Sequence, residues 1–223
     1  MQRYAIYYAP EAGGLADVTA AWLGWDPARG EAVPHPDLPL PVAALTDTPR
    51  KYGFHGTIKP PFRLAEGHGE TALRDAVGSL AARLAPVTLP GLRLSVIEGF
   101  VALLPDGETS ALADLAAAVV VGLDAFRAPP SEAEIARRRP DRLTARQRSL
   151  LAEWGYPYVL DQFQFHLTLT GPLPESEARE AVAVLQPLLA PHLPRPFALR
   201  DLVLFGEAAD GRFHILHRYP LTG

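Results

Sequence analysis

Gln162-Phe163-Gln164-Phe165-His166-Leu167-Thr168-Leu169-Thr170 alternates without a break. Gln162, Gln164, His166, Thr168 and Thr170 share one face, and Phe163, Phe165, Leu167 and Leu169 share the other. The pattern predicts a strand over 162–170 whose apolar face packs on helices and whose polar face looks into water or a site. Phe54-His55-Gly56-Thr57-Ile58-Lys59 repeats the pattern and is expected to end at Pro60-Pro61. It sets His55, Thr57 and Lys59 opposite Phe54, Gly56 and Ile58.

The surroundings of the two strands repeat as well. A helix with apolar helical spacing is expected over 71–84 after His55 and over 175–189 after His166. Two strands follow each helix, at 92–97 and 100–104 in the first half and at 199–205 and 212–217 in the second. Leu92-Arg93-Leu94-Ser95-Val96-Ile97-Glu98-Gly99 aligns with Leu199-Arg200-Asp201-Leu202-Val203-Leu204-Phe205-Gly206. The shared order reads as a duplication. It predicts an α+β protein of two pseudo-symmetric β-α-β-β lobes, with antiparallel sheets facing a central cleft. One bilobal domain over 1–223 is expected, with residues 1–108 forming the first lobe. Residues 109–223 form the second and include a helical insertion over 109–155. Outside the repeat, a strand is expected over 4–8 and a helix over 17–23. A proline-rich loop over 25–50 is expected to lie over the cleft, and an apolar helix to span 110–126. Ser131-x-x-Glu134 and Thr144-x-x-Gln147 are capping boxes that head two short helices.

Composition narrows the chemistry. The chain has 223 residues, 48% of them hydrophobic and 21% charged, with a net charge of −4 at pH 7. Bulk attraction to nucleic acid or to an anionic membrane is therefore not the organising feature. There is no cysteine, which excludes disulfides, thiol catalysis and Cys-ligated metal. The longest apolar run, Leu115 to Leu123, is too short to span a bilayer. No signal-peptide core follows Met1, so a cytoplasmic protein with no membrane partner is expected.

Paired histidine and threonine strands suit phosphate chemistry. A neutral imidazole takes a proton from the attacking oxygen, and an imidazolium across the cleft returns one to the leaving oxygen. Hydroxyls and a lysine hold the non-bridging oxygens. The catalytic candidates are His55 and His166, and the phosphate-binding candidates are Thr57, Thr168, Lys59 and Thr170. The basic run Arg137 to Arg148 carries two readings, a solvated helical face or a flap that guides a charged substrate. Arg127, Arg137, Arg139 and Tyr158 are the candidate substrate-binding residues, and Tyr156 could stack on a base or sugar. His214 and His217 fall on opposite sides of a strand, so no metal is expected, and no cofactor. There is no P-loop and no Gly-x-Gly-x-x-Gly. The expected partner is a small phosphorylated substrate, with RNA less favoured; the oligomeric state is open.

His55-Gly56-Thr57 and His166-Leu167-Thr168 resemble the paired His-x-Thr motifs of the 2H phosphoesterase superfamily. Lys51-Tyr52-Gly53-Phe54-His55-Gly56-Thr57-Ile58-Lys59-Pro60-Pro61-Phe62 is similar to one branch of it, the phosphonate-metabolism proteins of unknown function associated with carbon–phosphorus lyase genes. Arg3 to Tyr8, Phe126 to Pro129, Trp154 to Tyr158 and Phe165 to Gly171 share the resemblance; Gly56 stands where that branch has Ala. It implies a metal-independent phosphoesterase acting on a cyclic phosphate or phosphodiester, with a ribose phosphate as a plausible substrate. The alternative is a non-catalytic binder of a phosphorylated ligand or RNA with the same cleft.

Overall fold

A computed structural model describes residues 1–223. The strands are β1 (Tyr4–Tyr8), β2 (Trp25–Asp26), β3 (Glu31–Ala32), β4 (Gly56–Phe62), β5 (Val87–Leu89), β6 (Leu92–Ile97), β7 (Phe100–Pro105), β8 (Leu167–Thr168), β9 (Phe197–Leu199), β10 (Asp201–Glu207) and β11 (Phe213–Pro220). The helices are α1 (Gly14–Leu23), α2 (Val42–Leu45), α3 (Asp47–Arg50), α4 (Glu70–Ala81), α5 (Ser110–Gly122), α6 (Glu132–Arg137), α7 (Ala145–Trp154) and α8 (Glu175–Leu189). Both capping boxes form, at the heads of α6 and α7. No helix is long and apolar enough to cross a membrane.

The class is α+β, with every strand pair antiparallel. Seven strands join in the order β11-β10-β1-β4-β8-β7-β6. The two lobes expected at a 108/109 boundary do not own separate sheets. The hairpin β6–β7 from the first half lies beside β8, while β10–β11 from the second half lies beside β1. Helix α4 packs on β10 and β11, and α8 packs on β6 and β7. Each half thus covers the other's hairpin, and burying both helix faces requires the whole chain. The main core cluster draws on both halves, including Ile6, Ile58, Leu73, Val77, Leu103, Val119, Leu167, Leu185 and Leu204.

Of the four strand pairings between the halves, two join like with like. Gly56 pairs with Leu167, the middle residues of the two His-x-Thr triplets. Val87–Leu89 pairs with Phe197–Leu199, centred on Thr88 and Ala198.

Four sequence expectations need correction, and proline and a bulge explain those that bear on the two motif strands. The strand expected over 162–170 shrinks to Leu167–Thr168, and Leu160–Gln162 is a turn of 3-10 helix. Extending the Gly56–Leu167 register would set Phe163 and Gln162 against Pro60 and Pro61, which have no N–H to donate. Those prolines do not end the first strand either, since β4 runs on to Phe62. It does so by slipping register against β1: Thr57 stands opposite Tyr7, but Lys59 stands opposite Ile6. Two residues of β4 thereby face one step of β1, and the extra residue inverts the alternation. Lys59 turns to the helix side, where it is 2% exposed. The stretch 25–50 also carries more structure than a loop, namely β2–β3 and the short α2 and α3.

Gly56 is required by packing. A Cβ there would come within 2.4 Å of the Phe165 ring, which is wedged against Tyr8 and Phe197. Gly56→Ala should destabilise the protein by about 1–3 kcal/mol, the usual result of overpacking. Urea denaturation measures it, and an unchanged midpoint would mean that Phe165 moves freely.

Candidate active site

The register at the seam arranges the four motif side chains. With Gly56 opposite Leu167 in an antiparallel pair, His55 falls opposite Thr168 and Thr57 opposite His166. Gly56 and Leu167 point into the helix-side packing, so the histidines and threonines point the other way. Each imidazole therefore neighbours the hydroxyl of the other motif.

Both histidines are oriented by the same local device. His55 Nδ1 lies 2.9 Å from the Gly53 carbonyl oxygen, and His166 Nδ1 lies 2.9 Å from that of Gln164. A carbonyl only accepts, so each Nδ1 carries the proton and each Nε2 is left without a bond inside the protein. The first carbonyl is aimed by a turn at Gly53, whose φ is +69° and where a Cβ would strike the Pro27 ring at 2.6 Å. His55 also stacks on the buried ring of Tyr7, centroid to centroid 4.0 Å, and Tyr52 lies 5.5 Å away. Burial disfavours its charged form and lowers its pKa to about 4, against the opposing pull of the Gly53 carbonyl; His166 lowers it slightly further. At neutral pH the His55 imidazole is uncharged.

A cavity of about 270 Å³ opens over this face, lined by His55, Thr57, Thr168, Tyr7, Tyr52, Arg3, Arg138 and Tyr156 among others. His166 lines the adjoining cavity, of about 300 Å³, with Gln147, Tyr158, Gln162 and Gln164. Thr57, Pro60, Phe100 and Tyr156 border both. The loop expected to cover the cleft contributes Thr48 and Pro49 to the wall.

Other sequence candidates fall elsewhere. Lys59 does not reach the cleft: its Nζ donates to the Val120 carbonyl at 3.0 Å and lies 3.5 Å from Asp124. Burial lowers its pKa to about 8, with Asp124 opposing. It joins β4 to the end of α5 rather than binding phosphate. Thr170 borders the cavity, but its hydroxyl accepts from the Val101 N–H and donates to the Gly171 carbonyl. It is 1% exposed and has a structural role. Arg127 is bound to Asp124 and the Glu153 carbonyl, and with Arg137 it lines a separate cavity. Arg139 is exposed and borders none of these cavities. Tyr158 is 44% exposed on the His166 side.

Arg3, Tyr7, Tyr52 and Arg138 enter the wall from outside the two His-x-Thr triplets. Arg3 is clamped by Glu207 through two bonds of 2.5 and 2.6 Å. Arg138 lies 4.5 Å from the centroid of the Tyr156 ring. An Arg3–Tyr7 pair four residues apart on the edge of an aromatic strand is the available signal, but nothing local joins it to His55. His214 packs on Trp25 and His217 on Tyr219, and no cluster of three or more metal-ligating side chains occurs.

The fold and site define an α+β protein with two His-x-Thr motifs paired across one antiparallel seam. The chain belongs to the family described as "Protein of unknown function (DUF1045)", whose model matches residues 57–214. It is 38% identical over its whole length to the ribose 1,5-bisphosphate phosphokinase PhnN of Janthinobacterium sp. (strain Marseille), covering 51% of that protein. It is 38% identical over 175 residues, 78% of the chain, to the PhnN of Laribacter hongkongensis (strain HLHK9), covering 41% of it. The chain thus spans about half the length of the curated relatives it matches. Among solved structures it is similar to a phosphoesterase at TM-score 0.49 and 17% identity, each chain covered in full. It is also similar to E. coli LigT complexed with NADP+, at TM-score 0.47 and 19% identity, with 100% of this chain and 98% of that one covered.

Two titrations check these environments. An NMR pH titration should give His55 a midpoint near 4, whereas a midpoint near 6.5 would mean a solvated ring. The Lys59 ammonium is disfavoured in the folded state and not in the unfolded chain, so folding stability should rise as pH goes from about 8 to 10.5. Lys59→Met should flatten that rise, and an unaltered slope would contradict the buried placement.

Proposed function

We propose that the chain is a metal-independent phosphoesterase of the 2H type, acting on a cyclic phosphate or phosphodiester of a small metabolite. The register that sets each histidine beside the other motif's threonine is the observation that carries this reading. A phosphate seated over the seam would meet two Nε2 atoms from two strands and one hydroxyl beside each.

In this mechanism the neutral His55 Nε2 takes a proton from water as the water oxygen bonds to phosphorus. The bond from phosphorus to the leaving oxygen breaks on the far side. His166, entering as the imidazolium, gives its Nε2 proton to that oxygen. The Thr57 and Thr168 hydroxyls donate to the non-bridging oxygens as charge builds on them. A cyclic phosphate and water thereby yield one phosphate monoester, and proton exchange with solvent resets the histidines.

The PhnN relatives are named for a kinase of ribose 1,5-bisphosphate, and kinase chemistry requires a nucleotide phosphate-binding loop. This sequence carries no such motif, which favours a distinct reaction on a related ribose phosphate in phosphonate metabolism. We also read the two halves as an internal duplication that places one His-x-Thr motif on each side of the seam.

A screen of purified protein against cyclic phosphates, in EDTA, tests the proposal. His55→Ala and His166→Ala should each lower turnover roughly 10²–10⁴-fold. Thr57→Ala and Thr168→Ala should lower it less. Activity that depends on added divalent metal, or that survives loss of either histidine, contradicts the two-histidine mechanism.

A further inference from the structure

A second cavity, of about 250 Å³, shares Arg3, Tyr52, Pro61 and Arg138 with the wall of the His55 cavity. Its lining holds six cationic side chains, Arg3, Lys51, Arg63, Arg127, Arg137 and Arg138, against one carboxylate, Glu134. Three of the six are neutralised within the protein: Arg3 by Glu207, Arg63 by Glu134 and Arg127 by Asp124. Lys51, Arg137 and Arg138 have no carboxylate partner. Lys51 instead lies 4.9 Å from the centroid of the Tyr52 ring, and Arg138 rests on Tyr156.

Three unpaired cations around one small concavity repel one another, in a chain whose net charge is −4. The cost falls when an anion occupies the centre. The paired arginines add fixed geometry, since Glu207 and Asp124 each hold a guanidinium at two nitrogens. Fixed guanidiniums with free cations beside them suit a phosphate dianion. The lining is polar, with only three hydrophobic residues among thirteen, which disfavours an apolar or aromatic group.

We infer that this cavity is a second anion site, which takes a phosphate monoester carried by the substrate whose reacting phosphate lies over the seam. The inference rests on the proposed phosphoesterase reading and narrows its substrate class. The substrate bears two phosphoryl groups, a diester over the histidines and a monoester held by Lys51, Arg137 and Arg138. Arg3 and Arg138, which border both cavities, are placed to span the two groups. Lys51 and Arg137 border only the second cavity and are exposed, so they can be altered without touching the histidines or the core.

Calorimetric titration with inorganic phosphate separates this site from the catalytic one. The intact chain should bind two equivalents. The Lys51→Ala/Arg137→Ala protein should retain one, and the His55→Ala/His166→Ala protein should also retain one, with its remaining site sensitive to salt. If the Lys51→Ala/Arg137→Ala protein binds phosphate as the intact chain does, the second site is overturned even where the histidines are catalytic. If the histidine variant keeps both equivalents, the catalytic reading fails and the second site stands.

Kinetics give the second arm. Adenosine 2′,3′-cyclic phosphate bearing a 5′-phosphate should be turned over with a higher kcat/KM than its 5′-hydroxyl counterpart. The advantage should be on the order of tenfold for each charge-assisted hydrogen bond that the added phosphate makes. Lys51→Ala/Arg137→Ala should erase it by raising KM with kcat retained. Equal kcat/KM for the two nucleotides overturns the inference. So does binding of single-stranded RNA that strengthens with length, since the cations would then track a polynucleotide backbone.

Discussion

One antiparallel pairing, Gly56 against Leu167, constrains the rest of the molecule. It is the narrow join in a seven-stranded sheet, with β11-β10-β1-β4 on one side and β8-β7-β6 on the other. A slip of one residue would turn one histidine and its threonine into the helix-side core. Steric fit guards the register. Gly56 leaves room for the Phe165 ring that a side chain would occupy, and Phe165 is held in turn by Tyr8 and Phe197. Because each half covers the other's hairpin, the seam assembles only when both halves fold together.

Electrostatics then divides labour among groups of similar chemistry. His55 and His166 make the same bond to the carbonyl two residues back, yet only His55 stacks on the buried Tyr7. Burial keeps it uncharged at neutral pH, the state that the proposed base needs. The two lysines divide as well. Lys59 is buried and joined to the end of α5, while Lys51 stays exposed at the rim of the cationic cavity. The arginines follow a similar split in one lining, Arg3, Arg63 and Arg127 bound to carboxylates and Arg137 and Arg138 without one.

The class, the longer helices and both His-x-Thr motifs are legible in the sequence, because each is a local pattern. Strands 4–8 and 92–97 and helix 175–189 fall at the bounds their periodicity predicts. The failures are those of non-local structure. Counting alternate residues places Lys59 in the site, and a bulge against β1 inverts the count. Alternation predicts a strand over 162–170, but prolines stand where its pairing partners would be. A boundary at 108/109 follows from the repeat in the chain, which is blind to the exchange of hairpins in space. Arg3, Tyr7 and Arg138 reach the cleft from outside the motifs, and no spacing connects them to His55.

The central claim is that both histidines serve one phosphate across the seam. A ¹⁵N NMR titration of the intact chain with inorganic phosphate tests it most directly, by following the Nε2 resonances of His55 and His166 together. Both should shift with a single common dissociation constant, and Leu167→Lys, which disrupts the seam, should abolish both responses. Movement of one resonance alone, or two distinct dissociation constants, would contradict the account.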